Sequence, residues 1–315
     1  MEWMVSVAND PEVDALSDPV PDVDNGVIPE ILNGIVKKDR KRKWVVGKEL
    51  RLDGRAWRPS ATNAHDEVLH VTALGTLPRW VDRRLRAAAR QRTVYVALPL
   101  SALYTREWRR LLVSTDAFVY VIDDDNERLR TKRRHVLAAL ADLQIPVSPD
   151  ERIALASSTL DNLDAGTAQL KGARLEALLA FLFGQVSDFR VVHRNYRNRT
   201  QEIDLVLQLD GYSSRIWHIP GTPLLLVEAK NRGEKADPAT YSVFLNKMRT
   251  KRNNVRYGFL VATAGFSEDA RRESLRYSTG KHCIVMLGPS ELRTLVEARD
   301  IDSALEGLVR AAVLD

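Results

Sequence analysis

A chain of 315 residues, 44% of them hydrophobic and 28% charged, is long enough for two ordinary domains with a substantial core. Lysine and arginine outnumber aspartate and glutamate by 47 to 42, which permits a polyanionic partner, and the single cysteine, Cys283, excludes disulfides within the chain and thiolate zinc sites. No uninterrupted apolar run approaches the ~20 residues of a membrane-spanning helix, and the acidic start lacks a signal peptide's basic and apolar regions, so a cytoplasmic protein without membrane association is expected.

Residues 1–66 divide by charge. From Glu2 to Glu30 acidic residues and prolines alternate with no lysine or arginine among them, the composition of a loosely packed arm. The sign reverses in Lys37-Lys38-Asp39-Arg40-Lys41-Arg42-Lys43, which precedes Trp44. This cluster is either a nucleic-acid contact with an aromatic beside it, or a solvated basic turn neutralised by the acidic arm. The remainder to residue 66 reads as irregular.

Residues 67–150 alternate strands with helices. Val68–Leu74 reads as a strand and Arg79–Arg90 as a helix, Thr93–Leu98 as a strand before a helix around Glu107–Val113, and Ala117–Ile122 as a strand before a helix over Glu127–Leu143. Three successive βα units predict a parallel sheet with right-handed crossovers, a Rossmann-like module that senses, regulates or grips DNA. Asp123-Asp124-Asp125 falls at a strand's carboxyl end, where such sheets bind ligands, and either caps the next helix or meets a metal or ribose hydroxyls. No Gly-rich phosphate loop accompanies these units. Their helices are basic, with Arg83, Arg84, Arg86, Arg90 and Arg92 in one and Arg128, Arg130, Lys132, Arg133 and Arg134 in another. Such stripes are usually solvated faces; the alternatives are DNA-backbone contacts or the lining of a site for a small anionic or nucleotide activator.

Pro146 and Pro149 mark a boundary, and residues 151–315 form the second unit. A helix over Ala168–Phe183 carries Leu175, Leu178, Leu179 and Leu182 on one stripe, with Glu176 just beside it. Phe189–His193 reads as a strand, Arg194–Arg199 as a loop, and Glu202-Ile203-Asp204-Leu205-Val206-Leu207 as the next strand. Arg215–Ile219 then reads as a hairpin strand ahead of Pro223–Lys230. A helix over Pro238–Arg252 bears Lys247, Arg249, Lys251 and Arg252 toward its end, where the helix dipole alone favours them. Strands over Tyr257–Thr263 and Cys283–Leu287 flank a helix over Ser267–Tyr277, and two short helices after Ser290 close the core or offer a homodimer surface.

The chemistry concentrates between Glu176 and Lys230. Pro223-Leu224-Leu225-Leu226-Val227 is a buried-strand run that ends in Glu228-Ala229-Lys230, and strand alternation puts Glu228 and Lys230 on one side. Should Asp204's strand be a neighbour, two carboxylates and an ammonium converge. Such a set suits a hard divalent cation, which takes oxygen ligands and leaves part of its shell to water and phosphate. Asp204 and Glu228 would be ligands with the Ala229 carbonyl, Mg²⁺ (or Mn²⁺) the cofactor, and Lys230 the group that orients water or stabilises the transition state. Glu176 would join through a water. Arg194, Arg197 and Arg199 would hold phosphates, as would Lys247, Lys251 and Arg252; a polar surface hairpin accounts for the arginines as well. The bland alternative for the whole set is an exposed Glu228–Lys230 ion pair with Asp204 capping a turn.

Asp204 followed by Glu228-Ala229-Lys230, after a helix containing Lys171-Gly172-Ala173-Arg174-Leu175-Glu176, resembles the PD-(D/E)xK nuclease superfamily, most closely its Mrr-like restriction endonuclease branch. Gly265-Phe266-Ser267 before Ala270 resembles the same branch. The likeness covers about residues 165 to 290, and Ile203 stands where the superfamily's signature has proline. It implies an αβββαβ restriction-endonuclease-like core, Mg²⁺-dependent endonucleolytic cleavage of DNA, with RNA also open, and a role in defence against foreign DNA. It carries Glu176, Asp204, Glu228 and Lys230 over as catalytic residues. The alternative is a catalytically inactive nucleic-acid-binding or assembly protein on the same fold.

Overall fold

The computed structural model describes residues 27–52, 55–123, 129, 133–197, 202–210, 213–219, 222–251, 254–277 and 280–314. The N-terminal half begins with α1 (Val27–Lys38) and the short strands β1 (Val45–Val46), β2 (Leu50–Leu52), β3 (Arg55–Trp57) and β4 (Ala61–Thr62). It continues through β5 (Glu67–Val71), α2 (Arg79–Ala89), β6 (Thr93–Pro99), α3 (Arg106–Ser114), β7 (Phe118–Ile122), β8 (Arg134–His135) and α4 (Val136–Asp142). The C-terminal half comprises α5 (Pro149–Asp161), α6 (Ala168–Phe183), β9 (Phe189–Arg197), β10 (Glu202–Leu209), β11 (Leu224–Lys230) and α7 (Pro238–Arg249). It ends with β12 (Val255–Ala262), α8 (Glu268–Arg276), β13 (Cys283–Leu287), α9 (Pro289–Glu297) and α10 (Ile301–Leu314).

The N-terminal sheet has the order β1-β4-β5-β6-β7-β8. Its centre is parallel as expected, β5 to β6 to β7, because these apolar strands are buried on both faces. The sheet as a whole is mixed rather than a parallel Rossmann-like one, since β4 runs antiparallel to β5 and β8 antiparallel to β7. β4 and the edge strands β1 and β8 are two residues each, too short to carry a periodic signal. Residues 27–66, expected to be irregular from residue 31 onward, supply α1 and strands that cover this sheet: Ile31, Leu32 and Ile35 pack with Leu69, Tyr95 and Tyr120. Of the helix expected over Glu127–Leu143, α4 takes up Val136–Asp142, while Arg134 and His135 are taken into the sheet and residues 127, 128 and 130–132 lie outside the described residues. Asp124 and Asp125 lie outside the described residues.

The C-terminal sheet has the order β13-β12-β11-β10-β9, antiparallel across β9, β10 and β11 and parallel from β11 to β13. Leu205, Leu207, Leu225, Val227, Phe259 and Val261 face α6 through Leu175, Leu178 and Leu179. Val206, Leu226 and Leu260 face α7 through Tyr241, Phe244, Leu245 and Met248. Asp237 caps α7, accepting a hydrogen bond from the Thr240 N–H, with Pro238 in the first turn. The segment Arg215–Ile219 is a turn instead of a hairpin strand. Its alternation misleads because Trp217, 1% exposed, plugs the core and donates its Nε1–H to Asp188 at 3.0 Å. Arg194–Arg197 continues β9 rather than forming a loop. Among the described residues no helix is long and apolar enough to cross a membrane.

Candidate active site

The register of β10 and β11 pairs Leu205 with Val227, and one further step sets Asp204 opposite Glu228. In an antiparallel pair, residues directly opposite project to the same face, so the two carboxylates share the α7 side with Lys230. Asp204 Oδ2 accepts a hydrogen bond from the Ala229 N–H at 2.7 Å, which ties the start of β10 to the end of β11. Glu228 is 5% exposed. Its carboxylate is gripped by two ammonium groups: Lys230 Nζ at 2.6 Å from Oε1, and Lys247 Nζ at 2.8 Å from Oε1 and 2.7 Å from Oε2.

The two acids thus differ in electrostatic situation. Asp204 has its pKa pushed up to about 6, first by burial and next by the charge of Glu228, with Glu176 adding to the effect; the Ala229 N–H and Lys230 oppose it. Glu176, on α6, is half-buried, and its carboxylate accepts from Asn195 Nδ2 at 2.9 Å. Burial raises its pKa as well, against the Asn195 hydrogen bond and the nearby Arg194 charge. Three carboxylates therefore feel one another from two sides of the sheet edge.

Among the described residues no group of three or more His, Cys, Asp or Glu is arranged to hold a metal ion. The oxygen donors that the strand register brings to one place are fewer: Asp204 and Glu228, with the Ala229 backbone between Glu228 and Lys230. A hard divalent cation uses few protein ligands of this kind, and a buried carboxylate crowded by two others is the charge such an ion would neutralise. These donors are oxygens, the type that a hard divalent cation takes.

The expected phosphate-holding residues divide. Arg194 donates to Asp142 Oδ2 of α4 at 2.7 Å, facing the N-terminal half. Lys247 is engaged with Glu228, while Lys251 lies over the half-exposed Tyr196 ring, 5.6 Å from its centroid. Arg197 lies in β9 opposite Glu202; Arg199 and Arg252 lie outside the described residues. Two cations not expected from the sequence, Arg232 and Lys235, line a cleft of about 380 Å³ that reaches Glu228 and Lys230. The bond of Lys247 to Glu228 also escaped sequence reasoning. Its signal was position: Lys247 stands three residues after Phe244 and one before Met248, at the rim of the apolar stripe of α7.

Two further side chains fix the surroundings. Asn231 Nδ2 donates to the Lys171 carbonyl at 2.9 Å while its Oδ1 accepts from Thr263 Oγ1 at 2.9 Å, joining the ends of β11 and β12 to α6. Arg174, two residues before Glu176, donates to Asp116 Oδ2 at 2.8 and 2.6 Å, and Asp116 is also in contact with His135 Nε2 at 3.0 Å.

Residues 167–296 match the model of the Mrr_cat family, described as restriction endonuclease. The chain matches no curated protein and no solved structure. Taken with the sheet order and the opposed Asp204 and Glu228, the match makes residues 167–296 a restriction-endonuclease-like domain of the PD-(D/E)xK superfamily, beside a separate N-terminal α/β sheet.

Proposed function

We propose that the C-terminal domain is a divalent-cation-dependent endonuclease that hydrolyses DNA phosphodiester bonds. The observation that carries this reading is the convergence of Asp204, Glu228 and Lys230 on one face where β10 starts and β11 ends, within the stretch that matches the restriction endonuclease family. Asp204, Glu228 and the Ala229 carbonyl would hold Mg²⁺ or Mn²⁺. The chemistry that such a cation supplies is neutralisation of charge at the scissile phosphate and a more acidic water. Lys230 orients the attacking water or stabilises charge on the phosphate. Glu176, with its raised pKa, holds a proton more readily than an ordinary glutamate and serves as a hydrogen-bonding partner of water at the site's edge. Arg232, Lys235 and Lys251 hold the substrate backbone.

The role in this reading is cytoplasmic defence against foreign DNA, with the N-terminal half as the regulatory part. An open cleft of about 600 Å³ between α2 and α3 is lined by Arg79, Arg83, Arg86, Arg90 and Arg110 together with Asp82, which Arg86 engages, and Glu107; its net positive lining supports a small anionic activator there. Incubation with supercoiled plasmid and Mg²⁺, with and without nucleotide activators, tests the proposal. Nicked or linear product is expected, reduced on the order of a hundredfold or more in Asp204→Asn and Lys230→Ala. Binding of the plasmid without nicking under every condition would instead establish a non-catalytic nucleic-acid-binding protein.

A further inference from the structure

Glu228 is held more tightly than its proposed role needs. A ligand carboxylate has to present an oxygen lone pair to the cation, yet both oxygens of Glu228 already accept from Lys247, and one accepts from Lys230 as well. Lys230 is the expected neighbour, two residues along the same strand. Lys247 arrives from a different element. Its side chain is 13% exposed, and α7 is fixed on the sheet by Phe244, Leu245 and Met248, so the ammonium is held over the carboxylate by the core itself. Asp204, opposite on β10, has the Ala229 N–H rather than an ammonium at hydrogen-bond distance among the described contacts.

A cation approaching this site therefore meets one acid that is crowded by negative charge and one that is already neutralised. The second is the acid on which α7 sits. We propose that Lys247 is a positioning residue that acts as the built-in counter-ion of Glu228, competing with the divalent cation for its two oxygens and giving them up when the cation binds. This inference rests on the nuclease reading of the same site. Its consequence is that cation affinity is set partly by α7: whatever moves this helix changes how firmly Lys247 competes. Once released, the Lys247 ammonium is a second positive group beside Lys230 at the phosphate.

Isothermal titration of the full-length protein with Mn²⁺, paralleled by melting curves, tests the assignment in Lys247→Met, Lys247→Arg and Asp204→Asn. Methionine keeps the length and apolar stem while removing the charge. Loss of a charge-assisted pair predicts Mn²⁺ binding about tenfold tighter in Lys247→Met than in the parent. The same variant melts lower without metal and shows the larger rise on saturation. Lys247→Arg retains a cation and stays near the parent, whereas Asp204→Asn weakens binding at least about tenfold. A purely structural ion pair would lower the melting temperature of Lys247→Met and leave its Mn²⁺ affinity where it was. Unchanged or weaker affinity in Lys247→Met, with Asp204→Asn still impaired, overturns the role of Lys247 and leaves the nuclease proposal standing. Absence of Mn²⁺ binding in the parent, with Asp204→Asn indistinguishable from it, overturns both. Should Lys247→Met not fold, Lys247→Gln is read by the same criteria.

Discussion

At the scale of single residues, Asp204 concentrates the cost of building this site. Its pKa, raised from 3.8 to about 6 chiefly by burial and by Glu228, means that the folded protein binds a proton more tightly than the unfolded chain does. Stability is therefore lost as pH rises from about 4 to about 6, and above that window the ionised carboxylate remains a standing destabilisation. Asp204→Asn removes the charge while keeping an oxygen for the Ala229 N–H. The metal-free variant is expected to be more stable than the parent at pH 7.5. A rise of this size in a half-buried group, discounted for solvent screening, corresponds to about 1–2 kcal/mol. Urea unfolding in EDTA across pH checks this: the difference should shrink toward zero near pH 4 and narrow at neutral pH when Mg²⁺ is added. A parent more stable than Asp204→Asn at pH 7.5 without metal would mean that the carboxylate is compensated by the fold. The sequence disclosed the identities of Asp204, Glu228 and Lys230 because strand alternation is a local rule, and an apolar run ending in two charges shows where the buried part stops. It did not disclose the imbalance between the two acids, which depends on the rotation of α7 about its own axis.

At the scale of elements, that rotation and height are fixed by close approach. Gly258 of β12 lies directly beneath α7, where an added Cβ would fall 2.7 Å from Met248 Sδ and 2.9 Å from Phe244 Cε1. A side chain there forces the helix outward or the two core residues off their rotamers, and overpacking of this kind typically costs about 1–3 kcal/mol. Gly258→Ala is expected to destabilise the protein by that amount in urea unfolding. It should also lift Lys247 from Glu228, so its Mn²⁺ affinity should move in the same direction as that of Lys247→Met. Destabilisation with unaltered affinity would separate the helix position from the counter-ion contact. The helices and strands of this half were legible because they run from 5 to 16 residues, long enough for a clear periodicity. Exceptions have physical causes: Trp217 imitates a strand while serving as a plug, and β9 runs on through polar residues because β10 supplies a partner for its backbone. In the N-terminal half the mixed sheet was hidden, since β1, β4 and β8 are two residues each and owe their existence to the neighbours that they pair with.

At the scale of the whole molecule, the two halves share a continuous core. Trp108, Leu111 and Leu140 of the N-terminal half belong to the same buried cluster as Leu155, Leu178 and Leu295. The seam is also charged. Arg109 of α3 meets Glu151 of α5 through two hydrogen bonds, at 2.8 and 2.7 Å, and both side chains are at most 7% exposed. Asp116 and Asp142, both N-terminal, hold Arg174 and Arg194, which flank Glu176 on α6 and its partner Asn195 on β9. A shared core predicts that the chain unfolds in one step despite its two sheets, and the buried pair predicts where that step is most vulnerable. Removing one partner strands a charge in the interior, which costs roughly 3–5 kcal/mol, whereas replacing both by apolar residues of similar size is nearly neutral. Glu151→Ala should therefore lower the unfolding midpoint strongly, and Arg109→Met with Glu151→Leu should restore most of the loss. Tryptophan fluorescence and far-ultraviolet circular dichroism followed through the same urea titration decide the matter. Coincident curves for parent and variants support one cooperative unit, in which the proposed ligand between α2 and α3 would have a connection to Glu176 through Arg174 and Arg194. Two resolved transitions would show that the halves melt independently, and coupling from one sheet to the other site would then lack its rigid connection.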